Sequence, residues 1–230
     1  MNTKTVIKKL KLNKEGFDKI QEAVKKAESK TSGEIAVCLT PESSDYSIWE
    51  FFAAMFLSLV CFCVMLPFAA RINNLIESLT WVNKPGYLAA IFGGAVFFTF
   101  FVFFWMFNIP AVDRLIIPDV YKTKMVSRKA FGAFAETGVY CTEKHNGILI
   151  FVSFLERQVR IVADKGISDK ISDNMWQLIA DGLVSELKKG NGVDGFCDAI
   201  EKCGQLLSEH YPSEKDDVNE IPDGLLLMDN

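Results

Sequence analysis

Histidine is nearly absent from this chain: His145 and His210 are the only two in 230 residues. A nucleophile–histidine–acid triad therefore has few ways to assemble. The chain also has no CxxC pair, no cysteine–histidine spacing of the zinc-binding kind and no GxxxxGKS phosphate loop. A basic surplus is missing too. The formal charge is −4, which argues against nucleic acid as a partner, because nucleic-acid binders usually carry a basic footprint. The six cysteines (Cys38, Cys61, Cys63, Cys141, Cys197 and Cys203) fall at no framework spacing. Scattered free thiols of this kind suit a reducing compartment. No internal repeat or low-complexity segment is present.

Charge is itself absent from two long stretches. Residues 51–70 are twenty in a row without a charged side chain, and residues 86–112 are twenty-seven. A bilayer's hydrocarbon needs about twenty apolar residues to cross, so both runs read as transmembrane helices, spanning about 48–70 and 86–110. Roughly fifty hydrophilic residues precede the first, so it does not read as a signal peptide. Neither interior holds an ionisable group, so nothing marks an ion or proton path. Ala89, Gly93 and Gly94 would let a neighbouring helix approach closely. Residues 71–85 read as the connecting loop, with Trp81 and Tyr87 as interfacial anchors. That loop carries Arg71 and Lys84, whereas Arg114, Lys122, Lys124, Arg128 and Lys129 follow the second run. The imbalance predicts a multi-pass protein of the cell (inner) membrane, with both termini and the soluble part cytoplasmic.

Between the apolar runs and the C-terminus lies the stretch the rest is organised around, residues 146–167, NGILIFVSFLERQVRIVADKGI. Residues 148–152 form an unbroken branched and aromatic run, which predicts a strand buried on both faces. After a polar turn near Glu156 and Arg157, Val159, Ile161 and Ala163 alternate with Arg160, Val162 and Asp164, which predicts an antiparallel return strand. Residues 34–39, EIAVCL, read as another buried strand. The segment 6–10 reads as a short strand. Asn13 caps a helix running to about Ser29, and further amphipathic helices are expected at 123–140, 172–189 (closed by Gly190 and Gly192) and 194–210. Neither half builds a domain alone. Residues 13–45 and 119–211 should therefore join as one α/β domain with a mixed sheet, interrupted by the two-helix transmembrane hairpin of 46–112. Residues 212–230 are expected to be an acidic disordered tail, with a small apolar knot at 225–228 able to touch a partner.

If 34–39 pairs parallel with 148–152, as a crossover connection favours, both strands start on one edge and the return strand ends there. Gly33, Glu34, Asn146, Gly147, Asp164 and Gly166 would then converge. Two carboxylates and an amide can hold a hard cation, Ca2+ or Mg2+, with Glu34 and Asp164 as its charged ligands, and a phosphate through it. The simpler reading is that both carboxylates are solvated strand-end charges and the glycines serve turns.

The segments TSGEIAV at 31–37, TEKHNGILIFVSFLERQVRIVADKGI at 142–167, W-x-x-I at 176–179 and the ending DGFCDAIEKCGQLL together resemble the TPM domain family. The resemblance implies a small α/β/α sandwich. It also implies either a phosphatase-like activity with divalent cations or a role as an assembly factor for membrane complexes, since family members of both kinds are described. The commoner family pattern exports the domain behind a signal peptide and anchors it afterwards. This chain departs from it by placing a hairpin inside the domain. The expected function is a membrane-anchored binding or assembly module, whose partners are the bilayer and a membrane protein complex. The alternative is a weak metal-assisted acid phosphatase.

Overall fold

The computed structural model describes residues 2–80, 85–107, 109, 112, 114, 116–142, 144–213 and 219–228. These divide into two compact units, 1–44 with 119–230, and 45–118.

The first unit is a mixed four-stranded sheet with helices on both faces. Its strands are β1 (Glu34–Thr40), β2 (Gly147–Ser153), β3 (Gln158–Ala163) and β4 (Leu225–Leu227), in the order β3-β2-β1-β4. β1 and β2 run parallel, with Glu34 opposite Gly147 and Thr40 opposite Ser153. β3 returns antiparallel to β2, placing Ile148 opposite Ala163. Every residue of β1 and β2 is buried, as expected for central strands covered on both faces.

On one face Ile35, Val37, Ile148, Ile150 and Val152 pack against α2 (Lys14–Glu28), α8 (Asp173–Lys189) and α9 (Gly192–His210). On the other, Ala36, Cys38, Leu149 and Phe151 pack against Val126, Ala130 and Ala133 of α6 (Asp119–Glu136). Each fully buried large side chain, such as Phe151 or Phe196, contributes about 1.5–3 kcal/mol relative to exposure. Burial also pushes the Cys38 thiol up to about 12. Asn13 accepts the Gly16 N–H at 2.8 Å and Gly190 closes α8 with φ +85°, as the sequence predicts, whereas Gly192 does not help close α8 but is the first residue of α9.

Three local expectations are corrected. Residues 6–10 are not a strand; α1 (Thr3–Lys9) is helical, capped by Asn2, because Val6 and Leu10 lie four apart and bury one face. The helix expected at 123–140 begins and ends earlier, as α6. And the tail is ordered at 225–227: β4 adds parallel to β1, pairing Val37 with Leu225 and Leu39 with Leu227. The apolar knot covers the chain's own sheet edge, which would otherwise present unpaired backbone groups. A short α7 (Lys165–Ser168) follows β3.

The second unit holds α3 (Ser47–Met65), α4 (Ala69–Thr80) and α5 (Pro85–Phe107). The first apolar helix breaks at Pro67 in a 3-10 turn, Leu66–Phe68. The expected loop begins with a helix instead. Ile72, Leu75, Ile76 and Leu79 recur at i, i+3, i+4 and i+7, which gives α4 an apolar stripe. Trp81 and Lys84 lie outside the described residues. α3 and α5 pack antiparallel through edge-on aromatic pairs, Phe51 with Phe100 at 5.5 Å and Phe62 with Phe92 at 5.9 Å between ring centres. Both apolar helices, Ser47–Leu79 in its apolar part and Gly86–Phe107, are long and apolar enough to cross a membrane. Their large side chains stay uncovered: Phe56 is 65% exposed, Phe97 67% and Trp105 81%. The core helix of a soluble protein would bury such groups.

Candidate functional site

The strand directions bring the six candidate positions to one edge of the sheet. β1 and β2 begin there, and the backbone carbonyl of Gly147 accepts the Asp164 N–H at 2.9 Å where β3 leaves. The Glu34 N–H donates to the Asn146 carbonyl at 3.3 Å. Asn146 is buried, and its side-chain amide donates to the Ser32 carbonyl, which ties the TSGE turn to the start of β2. Its role in this geometry is to join two strand starts.

The glycines follow from close backbone approach. A Cβ on Gly147 would lie 2.5 Å from the Val139 carbonyl oxygen, and one on Gly166 would lie 2.7 Å from that of His145. Contacts this short with backbone have no side chain to move aside, so only glycine fits.

The two carboxylates face different neighbours. Glu34, at 6% exposure, accepts the Glu220 N–H on Oε1 at 3.3 Å. Asp164 caps α7, taking the Lys165 N–H on Oδ1 at 2.6 Å, while Oδ2 sits 3.2 Å from Nδ1 of His145. His145 adopts φ +50°, a left-handed conformation that projects its largely exposed ring beside Asp164. Among the described residues, no group of three or more His, Cys, Asp or Glu side chains is placed to hold a metal ion.

Residues outside the six candidates complete this edge. The Tyr211 hydroxyl donates to the Gly166 carbonyl at 2.7 Å, and its own carbonyl accepts from Ser32 N and Thr31 Oγ1. Lys170 lies 4.0 Å above its ring. Glu28 accepts the Ile35 N–H at 2.9 Å. Burial, with Asp223 and Glu34 close by, pushes its carboxyl up to about 9. The adjacency of His145 to Asn146 and of Glu28 to the TSGE turn was the available sequence signal. Tyr211 and Asp223 offered none, because their positions depend on how the C-terminal segment folds back. The hexapeptide GNGVDG at 190–195 has the letter pattern of a dinucleotide loop, but it joins α8 to α9 where that fingerprint requires a strand before the helix.

With this geometry in view, comparison with known proteins identifies the fold. Residues 112–206 match the model of the TPM domain, a range that contains β2, β3 and the 142–167 segment that carries the resemblance. Among solved structures, the NMR structure of the BA42 protein from the psychrophilic bacterium Bizionia argentinensis is similar over 94% of this chain and 95% of that one, at 22% identity and a TM-score of 0.56. At that identity the likeness is one of fold. No curated protein matches the chain.

Proposed function

We propose that this protein is a TPM-domain module held at the cell membrane by α3 and α5, with the sheet unit and both termini cytoplasmic, and that it binds or assembles a membrane protein partner. The observation that carries the reading is the uncovered apolar surface of two long helices inserted between β1 and α6 of one sheet domain. At about 1.5 Å per residue, helices of 19 and 23 residues match a hydrocarbon core of about 30 Å. The domain's own side chains favour binding over catalysis, since each carboxylate at the candidate edge is engaged by a backbone N–H. Cysteine labelling of intact cells tests the anchoring. A cysteine at Asn73 should react from outside, and one at Ser213 only after permeabilisation; the reverse pattern refutes the orientation, and labelling of both in a wash-released soluble fraction refutes the anchor.

One observation favours a second reading, a metal-assisted phosphatase. The starts of β1 and β2 and the end of β3 do share an edge, and there His145 sits against Asp164. Cation-dependent hydrolysis of a phosphate ester by the purified protein, lost in Asp164→Ala, would select this reading over the module.

A further inference from the structure

A cavity of about 460 Å³ lies between α6 and the segments that follow β1 and β4, Ser43-Ser44 and Met228. Its size is in the usual range for small-molecule sites. One wall is a single face of α6. Arg128, Gly132 and Glu136 follow at intervals of four, with Lys129 beside them. A Cβ on Gly132 would meet nothing within 4 Å, so the middle of the wall is open. Arg128 and Glu136 are eight residues apart, about 12 Å along the helix. Arg128 and Glu136 make no hydrogen bond or ion pair with another described residue. The Lys129 ammonium is steadied by the Glu42 carbonyl at 3.2 Å.

Ser43 and Ser44 also line the cavity, and hydrogen bonds fix Ser43 in place. The Glu156 carboxylate accepts the Ser43 N–H at 2.8 Å on Oε1 and the Ser153 hydroxyl at 2.5 Å on Oε2. Ser153 has one hydroxyl hydrogen and gives it to Glu156, so the 2.7 Å contact between the two serines uses the hydrogen of Ser43. The Ser43 oxygen is left as an acceptor. The cavity is therefore polarised, with cationic donors at one end and acceptors, Glu136 and Ser43, elsewhere. A bare phosphate would meet the cations but be repelled by Glu136. A compact molecule bearing both a phosphate and hydroxyls satisfies these polar groups, and its carbon skeleton suits the apolar remainder of the lining, Met125, Ala133 and Met228.

We propose that this cavity binds a polyol phosphate, its phosphate on Arg128 and Lys129 and its hydroxyls donating to Glu136 and Ser43. The same chemistry is found in a free glycerol or sugar phosphate and in the glycerophosphate headgroup of a lipid.

The test uses the full-length protein in phosphatidylcholine nanodiscs, titrated with sn-glycerol 3-phosphate, inorganic phosphate and glycerol by calorimetry. Glycerol 3-phosphate should bind more tightly than either fragment. Arg128→Ala should weaken both phosphates about tenfold, the loss of a charge-assisted contact. Glu136→Gln should weaken glycerol 3-phosphate but tighten inorganic phosphate, opposite effects that simple charge attraction does not produce. Both side chains project from an exposed helix face, and unchanged circular dichroism would confirm that the variants fold. Repeating the titration in phosphatidylglycerol nanodiscs separates the sources: competition by the lipid assigns the headgroup, and unchanged affinity assigns the free compound. No saturable binding in phosphatidylcholine, or equal weakening of both phosphates in Glu136→Gln, overturns the proposal.

Discussion

Replacing Glu28 by Gln should stabilise the fold at pH 8 and leave it unchanged at pH 4. Glu28 closes α2, and its carboxyl accepts the Ile35 N–H at 2.9 Å at the start of β1. Burial is the largest influence on it and raises its pKa from 4.5 to about 9; the Ile35 amide pulls the other way, while the hydrogen bond to Asp223 and the charges of Glu34 and Asp223 add to the rise. Near neutral pH the folded state keeps a proton on Glu28 that the unfolded chain releases. A folded pKa above the unfolded one means stability that is present in full below pH 4.5 and lost progressively as pH climbs toward 9. Between pH 4.5 and 7 the ceiling on that loss is about 3.4 kcal/mol, at 1.36 kcal/mol per pH unit. Glu28 keeps part of its contact with water, and screening reduces the figure to about 1–2 kcal/mol.

Glutamine reproduces the protonated form. Its carbonyl oxygen can accept from Ile35, and its amide can donate to Asp223. Melting of the full-length protein in detergent, followed by near-ultraviolet circular dichroism from pH 4 to 8, should show the wild type losing stability as pH rises while Glu28→Gln stays nearly flat. The curves should meet at the acid end and separate by several degrees at pH 8. Hydrogen exchange at the Ile35 amide gives a local readout, because that N–H is protected only while the contact holds. Parallel pH profiles for the two proteins would refute the reasoning.

Further outcomes follow from the same packing. Ala36→Asp places a charge at a site 1% exposed between β1 and α6, which should cost about 3 kcal/mol or more; unaltered melting would show that β1 is not central. Truncation after Ser213 removes β4 and uncovers the free edge of β1, so it should lower stability by about 2 kcal/mol and promote aggregation in light scattering. If a cation binds at the Glu34 and Asp164 edge, millimolar calcium or magnesium should raise the melting temperature by mass action. The double variant Glu34→Gln with Asp164→Asn should abolish that response, and calorimetry showing no cation uptake by the wild type would remove the site.

What the sequence disclosed was what local pattern can encode. IAVCL and ILIFV are unbroken apolar runs, and both are central strands because only a strand buried on both faces needs such a run. Asn13 and Gly190 read correctly because a cap is a local hydrogen-bonding problem. The misses have equally definite causes. Val6 and Ile7 favour a strand individually, but the spacing of Val6 and Leu10 on one buried face prevailed. The three residues of β4 sit in an acidic tail, and they are ordered by the open edge of β1, a partner nearly two hundred positions away. The candidate edge was legible as a set of strand ends but not in detail. Periodicity says which residues share an edge, whereas the partners of Glu34 and Asp164 depend on the path of residues 211–223 and on the conformation of His145.

The split of one domain around a helical hairpin also has a physical basis. Two parallel strands cannot be joined by a tight turn, so the chain between β1 and β2 must cross over, and α6 supplies that crossover. Anything inserted between β1 and α6 lengthens a connection that is already long, and closure entropy grows only logarithmically with length. The remaining requirement is that the insert returns the chain to the end from which it left. An antiparallel pair of helices does this: Phe51 near the start of α3 lies against Phe100 near the end of α5, and Phe62 against Phe92 further in. Under the proposed anchoring, a single span placed here would leave α6 on the far side of the membrane from β1, so a sheet interrupted at this point requires an even number of spans.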